Sequence, residues 1–118
     1  MTTDRFYTCV EESLGGGIHA GVLHADEAAR TTHVVLIIFG RCLPHGERLR
    51  LAKALPRRLA VDLMASPEGP VADPVATVAG ELQIDADSAA RRIRCVLHTL
   101  EEAAGARLLD ALLPADLS

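Results

Sequence analysis

The sequence predicts an all-α fold: a compact helical bundle of about six to seven helices, formed by two diverged tandem helical repeats. Apolar residues recur three and four positions apart, which is the spacing of one face of an α-helix. The core they predict is aliphatic, because hydrophobic residues make up 49% of the chain, while it has two Phe, one Tyr and no Trp. The second half of the sequence also repeats features of the first.

The clearest repeat relates residues 23–30 to residues 84–91 at an offset of 61. Ala25, Asp26, Ala28, Ala29 and Arg30 recur there as identical residues. At the same offset, Val35-Leu36 falls on Val96-Leu97. A long internal match of this kind predicts that both segments adopt the same structure.

Two further matches extend the repeat in both directions. Leu55-Pro56 falls on Leu113-Pro114 at an offset of 58, and at an offset of 69 the first helix of each copy aligns Phe6, Cys9 and Val10 with Val75, Val78 and Ala79. We therefore predict a single domain, 1–118, with repeat one at about 4–66, repeat two at about 73–118 and a linker at about 67–72.

The run from Val34 to Phe39 is apolar throughout, which by itself fits a buried strand as well as a helix. Its counterpart, Cys95 to Leu100, is not continuously apolar. The apolar residues around it fall at helical spacing, at Ala86, Ala89, Ala90, Ile93, Val96, Leu97 and Leu100. The comparison predicts a helix in both copies.

Start and stop signals predict four helices in the first copy. The first spans about 4–14 and ends in a glycine-rich run, Gly15–Gly21. Asp26 begins the second, because its carboxylate can accept a bond from the first-turn amides. The third follows Pro44 and runs to about Leu55; Pro56 then opens the fourth, since proline suits the first helical turn. The expected buried positions of the third and fourth helices are Leu49, Ala52, Leu55, Leu59, Leu63 and Met64.

Three helices are predicted in the second copy. Asp73-Pro74 has the pattern of a cap followed by a first-turn proline and opens a helix that reaches about Gln83. The next spans Asp87 to Ala103, with Asp87 expected as its cap, and the last spans Arg107 to Leu113.

The sequence predicts a cytoplasmic protein with free thiols. Its N-terminus lacks a basic segment followed by an apolar run, and its longest strongly apolar run is far shorter than the roughly 20 residues that cross a membrane. The three cysteines, Cys9, Cys42 and Cys95, are widely separated and form no Cys-x-x-Cys pair. The high apolar content of so small a chain favours self-association or a protein partner.

Charge is distributed unevenly along the chain. The formal net charge is −4, yet residues 41–58 hold six basic residues and a single acid, Glu47. Helix, short turn and helix is the outline of many DNA-binding proteins, so this basic stretch is a candidate contact for nucleic acid or another anionic partner. A solvated helix face is the alternative, because Arg48 and Arg50 fall on different faces of the third helix. The candidate residues are Arg41, Arg48, Arg50, Lys53, Arg57 and Arg58.

Cys95 and His98 have a spacing that can place two metal ligands on one side of a helix. The equivalent positions of the first copy are Val34 and Ile37, which indicates packing positions. No further ligands follow in an expected pattern. We therefore expect no bound metal.

Two other groups have a catalytic or binding interpretation and a simpler structural one. Cys42, His45 and Glu47 are close in sequence, but they match no nucleophile signature. The Gly15–Gly21 run follows a helix and lacks the spacing of phosphate-binding loops. We expect no catalytic residue, no cofactor and no small-molecule substrate.

Several segments together resemble a known family. They are Cys42-Leu43-Pro44-His45-Gly46-Glu47-Arg48, then Leu55-Pro56-Arg57-Arg58-Leu59, and a second round with Ala89-Ala90-Arg91, Val96-Leu97 and Leu113-Pro114. Over about residues 4–117 the chain resembles the bacterial domain-of-unknown-function family DUF2267. The resemblance implies a helical tandem domain without an established activity, so it assigns no catalytic residue. The glycine-rich insertion and the missing Gly-Glu turn of the second copy depart from the family pattern.

Two functions are compatible with these observations. The first is a non-enzymatic helical interaction module that self-associates or binds a protein partner through aliphatic helix faces. The alternative is a nucleic-acid-associated accessory or regulatory protein that uses the basic stretch. No membrane association is expected.

Overall fold

The computed structural model describes residues 2–15, 25–65, 69 and 71–105, and no strand occurs within them. They form six helices: α1 (Thr3–Gly15), α2 (Ala25–Cys42), α3 (His45–Ala54), α4 (Arg57–Met64), α5 (Pro74–Leu82) and α6 (Ala86–Ala104). The predicted all-α fold is confirmed, and the β-branched run after Val34 is part of α2. The helix expected at Arg107–Leu113 and most of the glycine-rich run lie outside the described residues.

Four of the helices, α1, α2, α5 and α6, form one packed group. α1 packs on α2 and on α6, α5 packs on α6 and on α2, and α2 also contacts α6. α4 lies against α2, and α3 packs mainly on α4 with a smaller contact to α6. The α3–α4 hairpin is therefore attached to the outside of the group formed by the other four helices.

One core joins all six helices; it is mainly aliphatic, as the composition predicts, but both phenylalanines are buried in it. Its largest fully buried side chains are Phe6, Phe39, Leu36, Leu59, Leu63, Ile93, Leu97 and Leu100. α2 and α6 bury equivalent positions at the offset of 61: Ala28 with Ala89, Val35 with Val96, Leu36 with Leu97, and Phe39 with Leu100. α1 and α5 agree less well at the offset of 69, since Val10 is fully buried and Ala79 is half-buried.

The packing of α2 on α4 depends on a glycine. A Cβ at Gly40 would collide with the main-chain oxygen of Leu63, so only glycine allows the two helix backbones to approach this closely. Because α4 carries the second half of the hairpin, this contact also determines where the hairpin lies.

Each of the two described helices in the second half of the chain is capped by an aspartate. The Asp73 carboxylate accepts from the Ala76 amide at 3.1 Å, as predicted. The cap expected at Asp87 was wrong: α6 begins at Ala86, and its cap is Asp85, two residues before Asp87; the Asp85 carboxylate accepts from the Ser88 amide at 2.7 Å. The reason is the end of α5, where Gln83 adopts a left-handed conformation and the Ile84 amide donates to Ala79.

In the first half, α2 begins at Ala25, so Asp26 lies in its first turn, and the side chain of Asp26 is outside the described residues.

The predicted buried face of α3 was wrong in one position. Leu49 is 39% exposed, whereas Arg48 is only 3% exposed and shares the inner face with Leu51 and Leu55. These three residues are three and four positions apart, so they lie on one side of the helix. An arginine can occupy such a face because its stem is aliphatic.

Candidate functional site

The six cations of the basic stretch separate into an inner and an outer group. Arg41 is half-buried at the end of α2, and Arg48 is buried on the inner face of α3. The other four are exposed, and they are Arg50, Lys53, Arg57 and Arg58. The prediction that Arg48 and Arg50 occupy different faces is confirmed, since the Arg50 side chain is 83% exposed. Only the outer four cations are on the surface of the hairpin.

The hairpin surface is also apolar. Leu49 and Val61 are the exposed large hydrophobic residues of the described chain, and Val61 is 59% exposed. Lys53 follows Leu49 by one helical turn, and Arg57 precedes Val61 by one turn, so an exposed cation flanks each apolar side chain. We define the basic hairpin surface as Leu49, Arg50, Lys53, Arg57, Arg58 and Val61.

Few acidic groups offset the charge of this surface. Glu47 and Arg50 approach to 4.0 Å across one turn of α3, and both side chains are largely exposed, so this pair is weak. The first turn of α4 has no acidic residue, and its N-cap, Pro56, gives no side-chain hydrogen bond. Free amides at a helix start carry partial positive charge, which adds to the charge of Arg57 and Arg58. The start of α4 therefore favours anionic groups.

Asp62 pairs α4 with α2 and lies near Tyr7 of α1. Its carboxylate lies 2.9 Å from His33 Nδ1 and is 15% exposed. Burial raises the pKa of the Tyr7 hydroxyl, Asp62 raises it further, and Arg58 opposes the rise. Tyr7 thus remains protonated at neutral pH and cannot serve as a base there. The His33–Asp62 pair thus links α2 to α4.

The cysteine and histidine groups do not assemble into a reactive centre within the described residues. The Cys42 thiol donates to the Ile38 carbonyl at 3.6 Å, within its own helix, and His45 is exposed. Burial raises the pKa of the Cys95 thiol, although Arg91 and Arg94 oppose the rise, so this thiol is a poor nucleophile at neutral pH.

His98, the predicted companion of Cys95, faces acidic residues of its own helix. Its ring nitrogens lie 3.8 Å from Glu101 and 3.3 Å from Glu102. Across the described part of the chain, no three His, Cys, Asp or Glu side chains are grouped so that they could hold a metal ion. Nor does any helix there have the length and apolar content needed to cross a bilayer.

Sequence reasoning identified the exposed cations but missed their apolar neighbours. It placed Leu49 in the core because Leu49, Ala52 and Leu55 have helical spacing. The missed signal was that Arg48, Leu51 and Leu55 have the same spacing, and only the contact of α3 with α4 distinguishes the two faces.

Comparison with known proteins gives one match. The family profile described as an uncharacterized conserved protein (DUF2267) matches residues 4–117. No curated protein and no solved structure matches the chain.

Proposed function

The chain belongs to the DUF2267 family of uncharacterized conserved proteins, and we propose that it is a non-enzymatic interaction module whose basic hairpin surface binds an acidic, partly apolar segment of a protein partner. One observation carries this proposal. Within the described part of the chain, the two exposed large hydrophobic residues and the four exposed cations of the basic stretch are all on the α3–α4 hairpin.

This mixed character fits a protein partner better than nucleic acid. Phosphate contacts require cations but gain nothing from Leu49 or Val61, whereas protein interfaces combine a buried apolar centre with a polar rim. A partner helix with acidic residues beside an apolar stripe would match both features. Helices of this kind commonly bind in hydrophobic grooves and on helix pairs.

Self-association through the same surface is unfavourable. In a two-fold dimer the same surface of each subunit forms the contact, so the four cations of one copy would face those of the other. Like charges brought together in this way disfavour the complex. We therefore propose a different protein as the partner, and self-association would require another surface.

Nucleic-acid binding is the second candidate, and the start of α4 supports it. Uncapped amides and two arginines occur together there, as in many phosphate contacts. Against it, Arg48 is buried and Arg41 is half-buried outside the hairpin, so the surface offers four cations and not six. The formal net charge of −4 also opposes approach to a polyanion.

A comparison of two labelled probes tests both candidates. One probe is an acidic peptide helix with leucines one turn apart, and the other is a random duplex DNA. We expect Leu49→Ser with Val61→Ser to weaken peptide binding by at least tenfold while leaving duplex binding unchanged. Replacing Arg50, Lys53, Arg57 and Arg58 with Gln should weaken both. Arg5→Gln with Arg91→Gln, at exposed cations outside the hairpin, is the matched control.

The salt dependence separates the candidates further. Four phosphate contacts predict a slope of roughly −3 to −4 in log K against log salt. Duplex binding with that slope, tighter than peptide binding and insensitive to the Leu49 and Val61 changes, would favour nucleic acid. Failure of both probes at low salt would overturn the role of this surface.

We also propose that α1–α2 and α5–α6 are diverged copies of one unit and that the protein is cytoplasmic. The matched burial of α2 and α6 supports the duplication. So do the equivalent hydrogen bonds of Thr8 to the Asp4 carbonyl and of Thr77 to the Asp73 carbonyl, at 2.9 and 2.8 Å. The three cysteines are unpaired, which is the usual state in a reducing compartment.

A further inference from the structure

A groove of about 290 Å³ lies between α2 and α5, away from the residues of the basic hairpin surface. Its apolar wall is one face of α2, formed by Val34, Ile37 and Ile38, and α5 contributes Thr77. Charged or titratable groups lie at its margins, namely His33, Arg41 and Glu81. Ligand sites in proteins commonly combine an apolar wall with a few polar groups in this way.

Arg41 and Glu81 lie at opposite ends of the groove. Arg30 of α2 donates to the main-chain oxygen of Glu81 at 3.1 Å, so the end of α5 lies beside the first half of α2. The Gly69 amide, which precedes α5, donates to the Arg41 carbonyl at 3.0 Å. The two helices are therefore antiparallel, with Glu81 and His33 at one end and Arg41 at the other. Eight residues of α2 separate these ends, which corresponds to about 12 Å along the helix.

Arg41 is a half-buried cation. Its Nε atom is shielded from solvent and has no hydrogen-bond partner among the described residues. Within the described ranges no carboxylate forms an ion pair with it, although Glu47 and Glu81 are both on neighbouring elements. A charge that has lost part of its hydration without gaining a partner attracts an anion strongly.

We propose that this groove binds a small aliphatic monocarboxylate, with the carboxylate at the Arg41 guanidinium and the alkyl chain along Val34, Ile37 and Ile38. A carboxylate fits better than a phosphate because Arg41 is the single permanent cation among the described residues that line the groove, and a planar guanidinium matches a planar carboxylate. The chain then extends toward His33, over the apolar wall of α2. The site is independent of the hairpin surface.

Sodium octanoate, below its micelle concentration, is a suitable probe. Its titration into methyl-labelled protein, followed by NMR, should shift the methyl signals of Val34, Ile37 and Ile38 in a saturable way. Octylammonium and acetate are matched controls that lack the correct charge or the chain, and we expect both to bind at least tenfold more weakly. Arg41→Gln should weaken octanoate binding about ten- to a hundredfold, the usual effect of losing a charge-assisted hydrogen bond. Arg5→Gln, at an exposed cation outside both the groove and the basic hairpin surface, should leave it unchanged.

Specific outcomes would overturn the proposal. The first is that octylammonium binds with the same affinity as octanoate. The second is that octanoate shifts other methyl signals, and the third is that a folded Arg41→Gln protein binds octanoate as tightly as the wild type. If Arg41→Gln does not fold, octanoate binding by Ile37→Ala tests the proposal instead. Ile37 is only half-buried, and in the proposed complex it contacts the alkyl chain of the ligand. Octanoate binding that Ile37→Ala leaves unchanged would equally overturn it.

Discussion

At the scale of single residues, two buried threonines of α2 illustrate how partners decide the effect of a polar group. Thr31 and Thr32 are both fully buried. Arg92 of α6 donates to the Thr31 hydroxyl at 3.0 Å and also to Glu27 at 3.2 Å. The Thr32 hydroxyl has no hydrogen-bond partner within the described residues. The Thr31 hydroxyl therefore stabilises the fold, whereas the Thr32 hydroxyl destabilises it.

Thr32→Val should therefore stabilise the protein. The change removes a buried hydroxyl that lacks a partner and keeps the shape of the side chain, so we expect a gain of about 1 kcal/mol in the free energy of unfolding. Thr31→Val is the matched comparison and should cost about 1 kcal/mol, because Arg92 loses an acceptor. Urea denaturation of the three proteins measures both changes. A loss of stability in Thr32→Val would show that the hydroxyl has an important partner.

Gly40→Ala should destabilise the protein strongly. The added methyl group would meet main-chain atoms of Leu63, which cannot rotate away, so α2 and α4 must separate. We expect a loss of about 3 kcal/mol, at the upper end of overpacking effects. Gly80→Ala in α5 is the control: a Cβ there meets nothing, and alanine should gain about 0.5–1 kcal/mol in a helix. Thermal unfolding of both variants distinguishes packing from helix propensity.

At the scale of the elements, the start of α6 predicts a dependence of stability on pH. The hydrogen bond from the Ser88 amide holds the pKa of Asp85 below its ordinary value. A carboxyl group whose pKa is lower in the folded state stabilises the fold above the unfolded pKa, near 3.9, and loses this contribution as pH falls through the folded pKa. Asp85 should thus stabilise the fold at neutral pH and not in strong acid.

Asp85→Asn tests this dependence because it keeps an acceptor and removes the charge. We expect its melting temperature to lie below that of the wild type at pH 7, with the difference disappearing below the folded pKa. Asp87→Asn is the control for the cap predicted from the sequence. Because the Ser88 amide donates to Asp85, this variant should keep the cap and show no pH-dependent loss of melting temperature from it. A constant difference between pH 2 and pH 7 for Asp85→Asn would contradict the role of the charge.

At the scale of the whole molecule, the basic hairpin surface predicts a conflict between binding and stability. Arg57 begins α4, where a cation opposes the helix dipole. Arg57→Glu should raise the free energy of unfolding by about 0.3–1 kcal/mol. The same change should weaken binding of an acidic partner, because it reverses a charge of the surface.

Arg50→Glu, within α3 and away from its start, serves as the comparison. It should weaken partner binding similarly without the gain in stability, since the dipole effect is confined to the terminal turns. Denaturation and probe anisotropy on the same samples measure both quantities. A stability loss in Arg57→Glu would show that Arg57 makes a stabilising contact in the fold.

The sequence by itself determined the helical class, the aliphatic core and most helix positions, because periodicity and capping residues are local properties. It also identified the exposed cations of the hairpin. Tertiary structure decided what periodicity leaves open: which face of α3 is buried, which aspartate caps α6, and which cations remain outside. The groove beside Arg41 is a further case, since it exists only where α5 lies against α2. These features depend on contacts between distant segments, and no pattern within one helix specifies its neighbour.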